Sequence, residues 1–577
     1  MQKVLIANRG EIAVRVIRAC RDEGLRSVAV YADQDADALH ARLADEAWAL
    51  HGATPAESYL DIPALLAAAT ASGADAVHPG YGFLSESAEF ARAVETAGLV
   101  WIGPTPESIE LLGDKLRARD IARRVGAPLA PGSQDPIGDA RDAIAFAEAH
   151  GLPVIVKAAF GGGGRGLRIA RSLEEVPAAF DSASREAIAA FGRGECFIER
   201  FLERPRHLEV QVLGDGEGGV LVVGDRDCSL QRRGQKLVEE APAPGLTAEE
   251  RELLHRSARE LCAAVRYRGA GTVEFLRGED GTISFLEVNT RLQVEHPVTE
   301  LVADVDLVRE QLRIAAGERP SFDATPAPRG HAIEFRLNAE DPGRGFLPAP
   351  GRIERLRVPA GPGIRWDAGV EEGDRIEAAF DSLAAKLIVH GDDREHAIRR
   401  ARRALAELVV EGVPTVTPFH RAVLEEPAFA EVPLRVSTQW IEAELMPRLE
   451  QAPRPISCEG PTLRRLSIEL DGRLVELGLP ASLLSALGGV GAMGGLEAEG
   501  AGPVEARDDS VLPAPMPAAL IRWLVDDGVE VEAGEELAVV SAMKMESRVA
   551  AHRAGRLERL AAEGAQLEAG TPLARIR

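Results

Sequence analysis

The stretch ISFLEVNTRLQVEHPVTE (283–300) places Glu287, Asn289, Arg291, Gln293 and Glu295 at every second residue, with Val288, Thr290, Leu292 and Val294 between them. In an extended strand this alternation puts the five polar groups on one stripe. Two acids, an amide, a guanidinium and a second amide suit a metal-bound nucleotide lying beside a small oxyanion. Upstream, GTVEF (271–275) joins this segment through GEDG (278–281), a hairpin turn that lets the strands carrying Glu274 and Glu287 face each other. Facing carboxylates repel, and Mg²⁺ shared with a triphosphate removes that cost. For the hairpin alone, a solvated acidic face explains the same residues equally well.

A second group of chemically capable residues surrounds a run of glycines. No G-x-x-x-x-G-K-[ST] occurs, which excludes a P-loop. Gly161, Gly163 and Gly166 satisfy G-x-G-x-x-G, but LRIA (167–170) alternates like a strand where a dinucleotide fold requires a helix. The segment therefore reads as strand, Gly-rich flap, strand, with backbone N–H groups able to close over phosphates. Lys157 enters the flap as a point charge, and Lys115 in GDK faces it from the other side.

The chain has six lysines against 61 arginines. Lysine retained under such a bias marks positions that need a compact charge or an acylatable amine, which arginine does not offer. One of the six, Lys544, lies between Met543 and Met545 in SAMKMES (541–547).

The elements that must position these groups belong to several units. A length of 577 residues implies three to five domains. A net charge of −24 argues against broad nucleic-acid binding. Cys20, Cys196, Cys228, Cys262 and Cys458 have no disulfide or zinc spacing. No apolar run approaches the roughly 20 residues of a membrane span. The start, MQKVLIANRGEIA, reads as a strand entering a helix and not as a signal peptide, so a cytoplasmic protein is expected.

Alternating strand and helix patterns over 1–113 predict an open, mostly parallel α/β domain. Strand-rich segments follow to about 320, and 330–445 mixes strands with an amphipathic helix near 394–410. Residues 464–480 suggest one more hairpin, and the Gly/Ala/Pro-rich 484–517 reads as a mobile linker. In the last 60 residues, LIRWLVDDGVEVEAGEELAVV (520–540) repeats as LERLAAEGAQLEAGTPLARI (557–576), with Gly528 and Gly564 offset by 36. Two strand-rich halves imply a small pseudo-two-fold β-sandwich, with Lys544 in the exposed turn joining them. An amine at that point suits a carrier arm, and biotin and lipoate are the cofactors that fit.

AMKM, with PAPMP at 513–517, resembles the biotinyl domain of biotin carboxyl carrier proteins. ANRGEIAVRVIRAC, HPGYGFLSE, VIVKAAFGGGGRG, RDCSLQRRGQK (226–236), EVNTRLQVEHPVTE and EFRLNAEDP (334–342) resemble the biotin carboxylase branch of ATP-grasp enzymes. Together they resemble the α subunits of biotin-dependent acyl-CoA carboxylases. The implied fold class is multidomain α/β plus all-β. It comprises a Rossmann-like N-terminal domain (1–113), an ATP-grasp domain (114–320, flap about 130–203) and a C-terminal α+β domain (330–445). A connector (446–505) and a flattened biotinyl β-sandwich (506–577) complete the chain.

The resemblance implies ATP at Lys115, Lys157, Gly163, Gly164 and His207, with Glu199 to Leu202 around the adenine. Glu274, Glu287 and Asn289 would bind Mg²⁺ or Mn²⁺. Lys236, Arg291, Gln293 and the Val294 backbone would bind bicarbonate, with Glu295 as general base. Arg336 would stabilise charge on the biotin ureido oxygen, and Lys544 would carry biotin. Implied partners are a separate carboxyltransferase β subunit and a biotin protein ligase, with the carboxylase core a homo-oligomer. The alternatives are a two-subunit pyruvate carboxylase and a non-catalytic carrier or regulatory subunit. Gly234 departs from the family, which often has histidine there and so an added ATP contact. Lys386 in FDSLAAKLI (380–388) is either functional or half of a structural ion pair.

Overall fold

The computed structural model describes residues 1–133, 135–158, 167–191, 194–449, 463–470, 473–480, 510–543, 545–567 and 570–577. Strands β1 (Lys3–Ile6), β2 (Arg26–Tyr31), β3 (Glu46–Ala49), β4 (Ala76–His78) and β5 (Val100–Trp101) form one sheet in the order β3-β2-β1-β4-β5. Every neighbouring pair is parallel. β1 reads KVLI and is buried at each position, as a strand covered on both faces requires. Helix α1 (Gly10–Asp22) buries Ile12, Val16 and Cys20, and the chain leaves it through Gly24 at φ +71°.

α2 (Lys115–Arg124) leads into a three-stranded antiparallel sheet of β6 (Val154–Ala158), β7 (Leu167–Ala170) and β8 (Cys196–Arg200), in the order β7-β6-β8. LRIA is thus a strand, as its alternation predicts. Gly163 and Gly164 lie outside the described residues.

The largest sheet decides where a site can form. It contains β9 (Arg206–Asp215), β10 (Val220–Arg232), β11 (Gln235–Ala241), β12 (Arg268–Arg277), β13 (Ile283–Asn289), β14 (His331–Asn338), β15 (Ile364–Ala368) and β16 (Leu383–Gly391). Their order is β13-β12-β9-β10-β11-β14-β16-β15, antiparallel throughout. β11 pairs directly with β14, so residues from two sequence units share one sheet.

The structure corrects the expected stripe. β13 ends at Asn289, residues 290–295 turn, and Glu295 is the N-cap of α3 (His296–Ala303). Pro297 suits the first turn of that helix and fixes where it starts, eight residues beyond the end of β13.

α4 (Arg394–Glu407) packs on the C-terminal part of the sheet and ties it down through Glu240 of β11. Arg394 Nε donates to Glu240 at 2.6 Å and His331 Nε2 lies 2.7 Å from it. Burial raises the Glu240 pKa, but Arg394 and His331 outweigh it and hold it down to about 2. The folded value lies below the unfolded one of about 4.3. The network's contribution, roughly 3 kcal/mol, is therefore full above about pH 5 and lost as pH falls toward 2. Glu240→Gln is expected to destabilise the chain at pH 7 and to flatten the loss of stability between pH 5 and 2. Denaturant unfolding at a series of pH values measures both.

Gly369, just after β15, allows the N-terminal domain to reach this sheet. A Cβ there would lie 2.5 Å from the Glu11 backbone nitrogen, so a side chain would push α1 away.

A separate hairpin pairs Leu463–Leu470 with Arg473–Pro480. The C-terminal unit is a sandwich of two four-stranded sheets. Its strands are β17 (Val511–Pro513), β18 (Ala518–Trp523), β19 (Glu530–Val531), β20 (Glu536–Ala542), β21 (Met545–Ala550), β22 (Gly555–Arg559), β23 (Gln566–Leu567) and β24 (Pro572–Ile576). The sheet orders are β17-β24-β22-β19 and β21-β20-β18-β23. The 36-residue offset carries each strand of one sheet onto a strand of the other, which is the pseudo-two-fold predicted from the repeat.

Two expectations change here. The linker read to 517 ends earlier, because β17 pairs with β24 and Leu512, Ala514 and Met516 are buried in the sandwich core. The turn between β20 and β21 is not bare at Met543, which is buried. Lys544 lies outside the described residues.

Candidate active site

Sheet register builds the centre of the site. Arg226, Glu209, Glu274 and Glu287 are consecutive partners across β10, β9, β12 and β13. Three carboxylates in one row repel, so cations must enter. Lys236, at the start of β11, donates to Glu209 (2.7 Å), Glu274 (2.9 Å) and Glu295 (2.7 Å). Arg226 is wholly buried and donates to Glu209, to Gln211 and Thr299 at 2.8 Å, and to Thr272 at 3.2 Å.

Arg226→Ala leaves the Glu209 charge buried with one cation fewer, and is expected to cost about 3–5 kcal/mol. Urea unfolding of the purified variant tests this. Arg226→Lys should recover only part of the loss, because an ammonium cannot span four acceptors in a plane.

Glu295 joins the row to β14. Arg336 Nη2 donates to its second oxygen at 2.9 Å, while Arg336 Nε donates to Glu239 at 2.5 Å. Burial raises the Glu295 pKa, yet Lys236, Arg336 and Arg226 hold it well below the usual carboxylate range. Arg291 donates to Glu86 (2.9 Å), Gln293 (3.0 Å) and Asn289 (3.3 Å), and Gln293 donates to Glu274 (3.2 Å). The residues expected on one strand stripe therefore do converge, although a strand and a turn supply them.

Lys236, Glu274, Glu287, Asn289, Arg291, Gln293 and Arg336 line a cavity of about 1140 Å³, with Glu209, Arg226, Glu239 and Glu295 fully buried behind it. Its other wall carries Lys115, Lys157, Glu199, Leu202 and His207. Lys157 pairs with Glu199, and Arg119 reaches the same carboxylate at 3.0 Å. Lys115 lies 3.5 Å from Glu287, and His207 Nε2 lies 3.1 Å from Glu274. Two lysines above a row of acids fit a phosphate chain bridged by a divalent metal. Glu274, Glu287 and Asn289 supply the hard oxygen donors such a metal requires. Glu287 fits a further ligand well, since its side chain is part-exposed and its salt bridge to Lys115 is long, at 3.5 Å.

Lys386 is buried and pairs with Glu11 at 3.1 Å, which settles it as an ion pair. The pair also positions the site, because Lys386 Nζ donates to the Val294 carbonyl at 2.7 Å. Gly234 forms a two-residue turn with Arg233 between β10 and β11, at φ +79° and +50°. Such a primed turn favours glycine at its second position. The departure from histidine thus eases the hairpin that presents Lys236.

Glu209, Glu239 and Glu86 were missed in the sequence. A signal existed for Glu209, since HLEVQV alternates His207, Glu209 and Gln211 against Leu208, Val210 and Val212.

Four families match successive parts of the chain. They are the biotin carboxylase N-terminal domain (1–109), the carbamoyl-phosphate synthase L chain ATP-binding domain (114–321), the biotin carboxylase C-terminal domain (334–443) and biotin-requiring enzymes (510–576). A biotin-dependent acyl-coenzyme A carboxylase alpha3 subunit of Mycobacterium leprae is 53% identical over 589 residues, covering 100% of this chain and 98% of that one. The chain belongs to the biotin carboxylase family. The Haemophilus influenzae biotin carboxylase is 49% identical over 431 residues, 74% of this chain and 96% of that enzyme. Among solved structures, the biotin carboxylase domain of Hydrogenobacter thermophilus 2-oxoglutarate carboxylase, with MgADP and bicarbonate, superposes with a TM-score of 0.71 at 44% identity. That match covers 78% of this chain and 99% of the domain.

The protein is therefore an ATP-dependent biotin carboxylase fused to a biotinyl domain, with biotin, ATP and Mg²⁺ as its cofactors. No described helix is long and apolar enough to cross a membrane.

Proposed function

We propose that this carboxylase is the α subunit of an acyl-CoA carboxylase, carboxylating biotin on its own Lys544 for a separate carboxyltransferase subunit. The observation that carries the residue roles is Glu295, ionised and buried between Lys236 and Arg336 beside the carboxylate row.

In this proposal Lys115, Lys157 and His207 hold ATP, with the adenine against Glu199 and Leu202. Glu274, Glu287 and Asn289 would hold Mg²⁺, which would supply positive charge at the phosphates. Bicarbonate lies against Lys236, Arg291, Gln293 and the Val294 backbone. Its negative charge offsets the cations that hold Glu295 ionised, so Glu295 gains basicity as substrate arrives. Glu295 takes the bicarbonate proton as a bicarbonate oxygen bonds to the γ-phosphorus and the bond to ADP breaks. The resulting carboxyphosphate yields CO₂ and phosphate. That phosphate takes the proton from the biotin ureido nitrogen, which then bonds to the carbon of CO₂. Arg336 donates hydrogen bonds toward the ureido oxygen, where charge develops.

Support for an acyl-CoA acceptor comes from the full-length relative, whose match includes the connector and the carrier. The carboxylase part alone is compatible with a 2-oxoacid system, as the 2-oxoglutarate carboxylase domain illustrates. Bicarbonate-dependent ATP hydrolysis stimulated by free biotin tests the catalytic roles, and its absence would refute them. Co-purification of the partner subunit, followed by assays with acyl-CoAs and with pyruvate, tests the acceptor. Turnover with pyruvate alone would overturn the acyl-CoA assignment.

A further inference from the structure

The two catalytic units touch at a contact that the chemistry above does not use. Met543, the residue before Lys544, is only 4% exposed. It packs with Ala339, Ile353, Ile376, Ala384 and Val413, all from the C-terminal carboxylase domain. Its backbone N–H donates to the Ala378 carbonyl at 2.9 Å. Ala378 lies three residues before Asp381, which lines the active-site cavity, and Met543 stands on the rim of that cavity. The contact is reciprocal: Leu347 of the carboxylase domain packs against the core of the biotinyl sandwich.

The backbone shows that the side chain matters. Met543 adopts φ +49°, a conformation that favours glycine and costs any other residue. Glycine would relax this turn, so the methionine contributes through its thioether stem. An unbranched, flexible apolar side chain suits a small irregular socket.

From this contact we propose that the Ala339–Ile353–Ile376–Ala384–Val413 socket is the docking site for this chain's own biotinyl domain, with Met543 as its anchor. Seating Met543 fixes the chain one residue before the acceptor at the cavity rim, and so sets where the biotin arm starts. Two apolar side chains and one backbone hydrogen bond make a small contact, of the kind that forms and breaks in each cycle. The proposal rests on Lys544 being the carboxyl acceptor.

The test uses full-length, fully biotinylated protein, with biotin content checked by intact mass. Single-turnover transfer of labelled bicarbonate to the carrier is compared with ATP hydrolysis driven by free biotin. Met543→Ser and Leu347→Asp are expected to slow carrier carboxylation about tenfold or more, the effect of losing roughly one buried apolar side chain. Met543→Leu should retain most of the rate, because it keeps the apolar volume. Leu347→Asp should leave the free-biotin reaction at its wild-type rate, which shows that the active site is intact. Wild-type carrier carboxylation in both Met543→Ser and Leu347→Asp would overturn the docking proposal. Wild-type protein that carboxylates free biotin but not its own carrier would instead refute Lys544 as acceptor.

Discussion

Glu295→Gln is expected to lower bicarbonate-dependent ATP hydrolysis with free biotin by a factor of about 10²–10⁴, the usual contribution of a positioned general base. Glutamine keeps the shape and one carbonyl acceptor, so a hydrogen bond from Lys236 or Arg336 survives. What disappears is the group proposed to receive the bicarbonate proton. The loss should fall on kcat and leave KM for ATP nearly unchanged, because Glu295 lies below the cavity and is fully buried. A second readout separates catalysis from architecture. Burial raises the Glu295 pKa, but Lys236, Arg336 and Arg226 hold it far lower, so the carboxylate stays ionised across the working range. Its own titration should therefore add no acid limb to kcat/KM for bicarbonate, which reports the free enzyme, between pH 5 and 8. A kcat within a few-fold of wild type in correctly folded Glu295→Gln would refute its role as base.

Much of this site was legible in the sequence, because β-strand chemistry repeats with period two. Glu274 and Glu287 are direct partners in the register, although a bulge between Glu274 and Phe275 completes that pairing, since the register set at the GEDG turn alone would place Leu286 there. The limits of the same rule are visible eight residues later, at Glu295. Alternation continues in the letters through Glu295, but the strand stops at Asn289 and a helix with Pro297 in its first turn follows. Gln293 and Glu295 reach the site from a turn, and their spacing is not what places them.

Glu209 was obscured for the opposite reason. It lies on a strand that alternates correctly, yet nothing local shows that its polar face is the buried one. Only the pairing of β9 between β10 and β12 brings it beneath Lys236. Long-range pairing also decides Lys386, whose two partners, Glu11 and Val294, come from distant parts of the chain. The repeat in the biotinyl domain was easier to read, since a 36-residue offset maps strand onto strand without any tertiary information.

Lys544→Arg is expected to yield protein with no covalent biotin, seen by intact mass as loss of the biotin-sized increment after co-expression with a biotin ligase. Arginine keeps the positive charge and the long stem, so neither the electrostatics nor the fold of the turn should change. It removes the one property at issue, a primary amine that can be acylated. The surrounding frame supports that choice: β20 and β21 pair to Ala542 and Met545, leaving residues 543 and 544 as their connection. The variant should still hydrolyse ATP when free biotin and bicarbonate are supplied, because none of the cavity residues proposed to hold ATP or bicarbonate has changed. Transfer of labelled carboxyl to the chain itself, and any activity that needs the partner subunit, should fall to background. Biotin retained on Lys544→Arg would move the acceptor to another of the five remaining lysines. Each of those is already accounted for elsewhere: Lys115, Lys157 and Lys236 line the cavity, while Lys3 and Lys386 are held in ion pairs with Glu46 and Glu11.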